Sequence, residues 1–175
     1  MALKTSIKIA KYCSLPALMA AVGVYLSTGE FETRLTQEDI KLIVDEEGCR
    51  LQPYYCTQGV LTNGVGHTSG EVNKQITEEQ AAKWLVEDLQ EWEECVVKYF
   101  NGKNAPKYVY GALVSIAHNT GCRRLRIQQG KETQIMKFAN QGNWKAVCGQ
   151  FNSWAKQKEL KPRRARETAY CMKGI

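Results

Sequence analysis

The chain carries only two histidines, and its seven cysteines include no Cys-x-x-Cys pair and no Cys/His spacing of the kind that holds a metal. No metal centre and no cofactor are therefore expected. No internal repeat and no low-complexity stretch occurs, so a solenoid or a disordered array is excluded. Basic clusters at Arg123-Arg124-Arg126 and from Lys156 to Arg166 come without any nucleic-acid-binding motif. They read as solvated faces rather than as a contact surface for DNA or RNA. Long apolar runs are also missing: the one uncharged run, Tyr12 to Thr28, has 17 residues, at the lower limit of the ~20 that span a bilayer.

What is present bounds the rest. With 175 residues, 43% of them hydrophobic, the chain can bury one ordinary core and little more. Its 24 Lys and Arg against 18 Asp and Glu give a net charge of +6, which favours an anionic partner such as lipid or cell wall. Seven cysteines without metal spacing point to an oxidising compartment. Seven is odd, so three disulfides leave one thiol over.

The uncharged run follows Lys4, Lys8 and Lys11 and precedes Glu30 and Glu32, a polarity that puts the N-terminus inside and the body outside. Ser14, Pro16, Gly23, Ser27 and Thr28 dilute the run, so it should hold a bilayer weakly. Ala21-Val22-Gly23 would serve as a cleavage site for a signal peptide. Cys13 inside the run argues for retention, since a thiol on a discarded peptide does nothing. The expected organisation is a weakly hydrophobic export and tether segment over residues 1–30 and one body over 31–175.

Within the body, Thr36-Gln37-Glu38-Asp39 resembles a capping box, and Ile40, Ile43 and Val44 continue at helical spacing to an end at Glu46 or Glu47. Pro53-Tyr54-Tyr55 and Val60-Leu61-Thr62 flank Thr57-Gln58-Gly59 as the arms of a hairpin. Thr77 to Gln80 opens a long amphipathic helix with Ala81, Leu85, Leu89, Trp92, Val96 and Phe100 on its apolar face. Pro106 starts another helix, closing near Asn119-Thr120-Gly121, and shorter ones follow around 133–139, 144–154 and 162–172. A small hairpin beside a helix end, then a helical body, makes an α+β domain. Trp84, Trp92, Trp144 and Trp154 read as core, and His118 as core or rim.

The chemistry concentrates in Glu47-Gly48-Cys49-Arg50-Leu51, Tyr54, Cys56, Thr62 and Gly64-Val65-Gly66-His67. A carboxylate at a helix end and a tight hairpin bring Glu47, Cys56 and Thr62 around one cleft. The spacing Glu, eight residues, Asp or Cys, five residues, Thr resembles the signature of phage-type lysozymes, and Gly48, Arg50, Tyr54 and Gly66-His67 match its usual surroundings. The resemblance extends over most of residues 36 to 175, including Asn119, Gly121, Arg163-Arg164 and Glu167. It implies a lysozyme fold and hydrolysis of the bond between N-acetylmuramic acid and N-acetylglucosamine in peptidoglycan. Glu47 would be the acid, Cys56 the base or nucleophile in place of the more common Asp, and Thr62 an aid in positioning water. A Cys/His hydrolase using Cys56 and His67, and a non-catalytic wall-binding domain, remain as alternatives.

Cys49 lies seven residues before Cys56, near enough for a disulfide that would cage the sulfur, and a disulfide sulfur is neither base nor nucleophile. Cys13 is placed to attack it. The arrangement resembles phage lysozymes with a signal-arrest-release segment. There the exchange from Cys49–Cys56 to Cys13–Cys49 would follow escape from the membrane. Cys95, Cys122, Cys148 and Cys171 allow three pairings. If the last two helices form an antiparallel hairpin, Cys148 faces Cys171 and Cys95 is left with Cys122. The expected partners are peptidoglycan and the host inner membrane, the latter through residues 12–28, with the protein monomeric and released to the periplasm.

Overall fold

In the computed structural model, residues 11–29, 31–56 and 59–175 are described. Lys4, Lys8 and Glu30, and Thr57-Gln58 of the hairpin turn, lie outside them. Ser14 starts α1 (Leu15–Thr28), which has Pro16 in its first turn and Gly29 in the left-handed conformation at its end. Thr36 caps α2 (Gln37–Glu47): its hydroxyl accepts from the Asp39 N–H while Asp39 accepts from the Thr36 N–H, the reciprocal capping box. Gly48, with φ +71°, breaks the helix, and the chain turns at once into β1 (Arg50–Tyr55), paired antiparallel with β2 (Leu61–Gly64).

Behind this hairpin stands the helical body. Thr77 caps α3 (Glu78–Tyr99), and after a 3-10 turn comes α4 (Lys107–Thr120), which Pro106 introduces. Then follow α5 (Cys122–Arg126), a minimal hairpin of β3 (Ile127–Gln128) and β4 (Lys131–Glu132), α6 (Gln134–Asn140), α7 (Trp144–Gln150) and α8 (Lys161–Met172). Neither α5 nor the β3–β4 pair was expected, because segments of five and two residues carry no readable period. The whole is an α+β arrangement, mainly helical, as the pattern of elements implies.

The central α4 is surrounded: Val109, Ala112, Leu113, Val114, Ile116 and Ala117 are all fully buried. Gly111 is obligatory in that helix, because a Cβ there would stand 1.8 Å from Asp39 Oδ1. The space it leaves lets the buried Asp39 carboxylate accept from the Tyr170 hydroxyl at 2.8 Å, tying α2 to α8. Disulfides join Cys95 to Cys122, from α3 to α5, and Cys148 to Cys171, from α7 to α8.

Among the described residues no helix is long and apolar enough to cross a membrane. Instead α1 packs on α3, with Leu18 and Val22 fully buried in the common core. Just before it, Lys11 O accepts from Leu51 N at 3.0 Å, Tyr12 bridges Arg50, and the Ser14 N–H donates to Glu78 Oε1 at 2.6 Å. The Cys13–Cys49 disulfide, with its Cα atoms 5.4 Å apart, closes the same junction.

Two expectations are corrected. Of the four tryptophans Trp154 is buried, and Trp92 and Trp144 are partly buried against the core, Trp92 also lining a cleft; Trp84 is partly buried outside the core, against the His67 ring, since helical spacing marks a face without saying what covers it. Of the basic cluster from Lys156 to Arg166, Arg163 and Arg164 are not solvated at all but buried in ion pairs with Glu47 and Glu167.

Candidate active site

A cleft of about 590 Å³ opens between the β1–β2 hairpin and the helical body. Glu47 reaches it because α2 ends at that residue. The N–H of Gly48 returns to Val44 O at 2.9 Å, and the positive φ of Gly48 sends the backbone away, leaving the carboxyl at the mouth of the turn. Opposite it, the hairpin register pairs Tyr54 with Thr62, and Cys56 donates its N–H to Val60 O at 2.9 Å. Glu47, Cys56 and Thr62 all line the cleft. Thr62 is buried, and its hydroxyl donates to Val60 O at 2.9 Å, so its oxygen faces other groups as an acceptor.

Glu47 is held by charge. Its Oε1 lies 2.5 Å from Arg163 Nη1 and 3.4 Å from His118 Nδ1, and the side chain is 21% exposed. Burial alone would push its carboxyl up. The His118 imidazole and the Arg163 guanidinium together outweigh that and bring it down to about 2. Arg163 is itself fixed, with Nε on Glu167 Oε1 at 3.0 Å and Nη2 on Ser115 O at 3.3 Å. Glu167 is fully buried and also takes the Ser115 hydroxyl, at 2.7 Å, and Arg164, whose other nitrogen holds Asn119 Oδ1. Two arginines against two glutamates leave the network without net charge, which is the condition for burying it. One chain of contacts thus joins α2, α4 and α8 beneath the cleft.

On the hairpin side, Arg50 stacks over the Tyr54 ring at 4.3 Å. His67 Nδ1 meets Asp88 at 2.9 Å, its Nε2 meets Ser69 Oγ at 3.2 Å, and its ring stacks on Trp84 at 4.5 Å. Both ring nitrogens are therefore engaged, which leaves no imidazole nitrogen over to activate Cys56. Gly66, with φ +80°, runs close beside His118 and Glu47: a Cβ there would lie 3.6 Å from His118 Cε1 and 3.7 Å from Glu47 Oε2.

The three disulfides engage Cys13, Cys49, Cys95, Cys122, Cys148 and Cys171. Because Cys49 is bonded to Cys13, a Cys49–Cys56 bond is excluded in this arrangement. Among the described residues no cluster of His, Cys, Asp and Glu could hold a metal.

Two neighbours of the Glu47 carboxyl were not singled out from the sequence. Arg163 was noticed only as part of the resemblance, and His118 was assigned to core or rim. A signal for His118 existed: Ser115 and His118, at i and i+3, are the polar pair of an otherwise apolar helix stretch and so share one face.

The model of the family described as phage lysozyme matches residues 44–167, from the end of α2 to Glu167 in α8. The chain belongs to the phage lysozyme family. Among its lysozyme relatives, the SAR-endolysin of Escherichia phage P1 is 32% identical over 167 residues, covering 89% of this chain and 90% of that protein. The SAR-endolysin of Haemophilus phage HP1 is 34% identical over 175 residues, covering 91% and 94%. The crystal structure of the active form of P1 phage endolysin Lyz superposes with a TM-score of 0.85, at 30% identity, over 95% of this chain and 97% of that one. The secreted inactive form of the same endolysin reaches a TM-score of 0.58, at 28% identity, over 79% and 96%. As a lysozyme the protein is a glycoside hydrolase, and its activity is lysis of the lysozyme type.

Proposed function

We propose that this lysozyme hydrolyses the bond between N-acetylmuramic acid and N-acetylglucosamine in peptidoglycan, with Glu47 as acid, Cys56 as base or nucleophile and Thr62 positioning water. The observation that carries the reading is the convergence of all three side chains on one cleft, with a buried arginine beneath the carboxyl. Cleavage needs a proton on the leaving oxygen and a base or nucleophile on the other face of the sugar. In the open cleft Glu47 is a carboxylate at neutral pH. A glycan that fills the cleft expels water, strengthens the burial that already pushes this carboxyl up, and so favours the protonated form. Cys56 serves as a thiolate, attacking the anomeric carbon or taking a proton from the attacking water.

The tether controls that thiolate. Residues 1–30 hold the new protein in the host inner membrane, through residues 12–28, with the body on the periplasmic side. In that state Cys49 is bonded to Cys56 and the enzyme is silent. On leaving the bilayer the segment folds as α1 against α3, and the Cys13 thiolate attacks Cys49 Sγ. The Cys13–Cys49 bond forms, the Cys49–Cys56 bond breaks, and Cys56 departs as a thiolate, with no net oxidation. Support comes from the helix itself: 14 residues at 1.5 Å each span about 21 Å, short of the ~30 Å hydrocarbon layer, so departure costs little. Further support is the closer match to the active than to the inactive form of the P1 endolysin.

The deciding experiment is clearing of a suspension of permeabilised bacteria. The protein with the Cys13–Cys49 bond should clear it, and Glu47→Gln should lose at least about a hundredfold. A protein that binds wall without clearing it in any disulfide state would be the non-catalytic binder instead.

A further inference from the structure

Both groups that bear on Glu47 converge on the same oxygen. Arg163 Nη1 and His118 Nδ1 stand 2.5 and 3.4 Å from Oε1, while Oε2 is the atom turned toward Gly66. The two differ in kind. Arg163 comes from α8, is pinned by Glu167 and Ser115, and keeps its charge at every working pH. His118 comes from the last turn of α4, is 8% exposed, and turns its ring edge-on to Trp92 of α3, 6.0 Å away. Its Nδ1 is buried and forms no hydrogen bond of good geometry, so Glu47 is the group it addresses, through charge and alignment. Around the carboxyl the remaining ionisable groups are Tyr54 and Cys56 on the hairpin, Asp88 and Glu91 across the cleft on α3, and Arg164 one layer deeper. Tyr54, Asp88, Glu91 and Arg164 lie outside the two contacts to Oε1.

We propose that His118 is a positioning residue for the acid of this site: it keeps Oε1 engaged, so that the proton Glu47 delivers sits on Oε2 toward the cleft. The inference rests on Glu47 being the acid. A cation or donor beside a carboxylate favours its ionised form, so removing His118 must raise the pH at which Glu47 binds its proton. It must also leave Oε1 less constrained, which costs turnover rather than affinity, since the imidazole bears on the reacting proton and not on the sugar.

The test measures kcat and KM against pH on soluble glycan fragments, and the Glu47 carboxyl by carbon NMR titration, for the parent, His118→Phe and His118→Gln. In His118→Phe the Glu47 titration should move up by about one pH unit, with the alkaline limb of kcat/KM moving up alongside it. kcat at the plateau should fall roughly three- to tenfold at constant KM. His118→Gln, which can donate but carries no charge, should recover the plateau and keep part of the upward displacement. An unmoved or lowered Glu47 titration in both variants would overturn the proposal, as would an alkaline limb that moves without it. If the titration moves as expected while Glu47→Gln retains full activity, the acid assignment fails instead, and the NMR result tells that failure apart.

Discussion

Arg163 reaches back across 116 residues of chain to set its guanidinium 2.5 Å from the carboxyl of Glu47, the arginine buried behind the carboxylate that lines the cleft. Arg163 also anchors Glu167 and the α4 carbonyl of Ser115. Replacing it with Met would leave Glu167, fully buried, with Arg164 and the Ser115 hydroxyl, and would leave Glu47 with His118. Breaking a buried pair from one side costs about 3–5 kcal/mol. The exposure of Glu47 puts this one at the lower end, so Arg163→Met should lose about 3 kcal/mol in urea denaturation. A loss within experimental error of zero would mean that the network does not bear on stability.

The low titration of Glu47 links stability to pH. A carboxyl whose folded value lies below its unfolded one contributes stability that is complete above the unfolded value, and that is lost as pH falls through the folded value. Here the window runs from about 4.5 down to about 2. Over it the parent should lose on the order of 2–3 kcal/mol from this one group, discounted for its partial exposure. Denaturation curves of the parent and Glu47→Gln at pH 6 and pH 2.5 check the sign: the stability lost between the two pH values should be smaller in the variant.

The thiol exchange predicts opposite behaviour for two serine variants. Cys49→Ser cannot form the Cys49–Cys56 bond and should lyse from the periplasmic side without waiting for release. Cys13→Ser cannot open that bond and should stay silent until reductant is added. Turbidity clearing with and without dithiothreitol, together with a non-reducing peptide map, reads both. A Cys49→Ser protein as inert as the caged parent would end the exchange scheme.

Docking of the N-terminal helix should be measurable in the core. Leu18 is fully buried in α1, and Leu→Ala truncations at such sites cost about 2–5 kcal/mol. Leu18→Ala should therefore destabilise the Cys13–Cys49 protein by about that much in chemical denaturation. A truncation at Val24, exposed on the same helix, should change it by less than about 0.5 kcal/mol.

Several features were readable along the chain because they depend on neighbours in sequence. The Thr36/Asp39 capping box, the helix stop at Gly48 and the arms 53–55 and 60–62 of the hairpin are local bargains between side chain and backbone, each complete within a few residues. The Glu47, Cys56 and Thr62 spacing belongs with them, since a helix end and one tight hairpin suffice to bring those positions together. That Trp92 and His118 face the cleft went unseen for the converse reason. Periodicity assigns a face, but whether that face meets core or cleft depends on which element arrives from elsewhere.

What the order of residues determined by itself was the set of local elements, the α+β class and the three side chains of the cleft. Only the packing of α2, α4 and α8 decided the protonation of Glu47, because the groups that bear on it, Arg163 and His118, come from positions 116 and 71 residues away. Coulomb energies in a water-poor interior depend on ångströms of separation. Ångströms between distant segments are what a linear pattern does not contain.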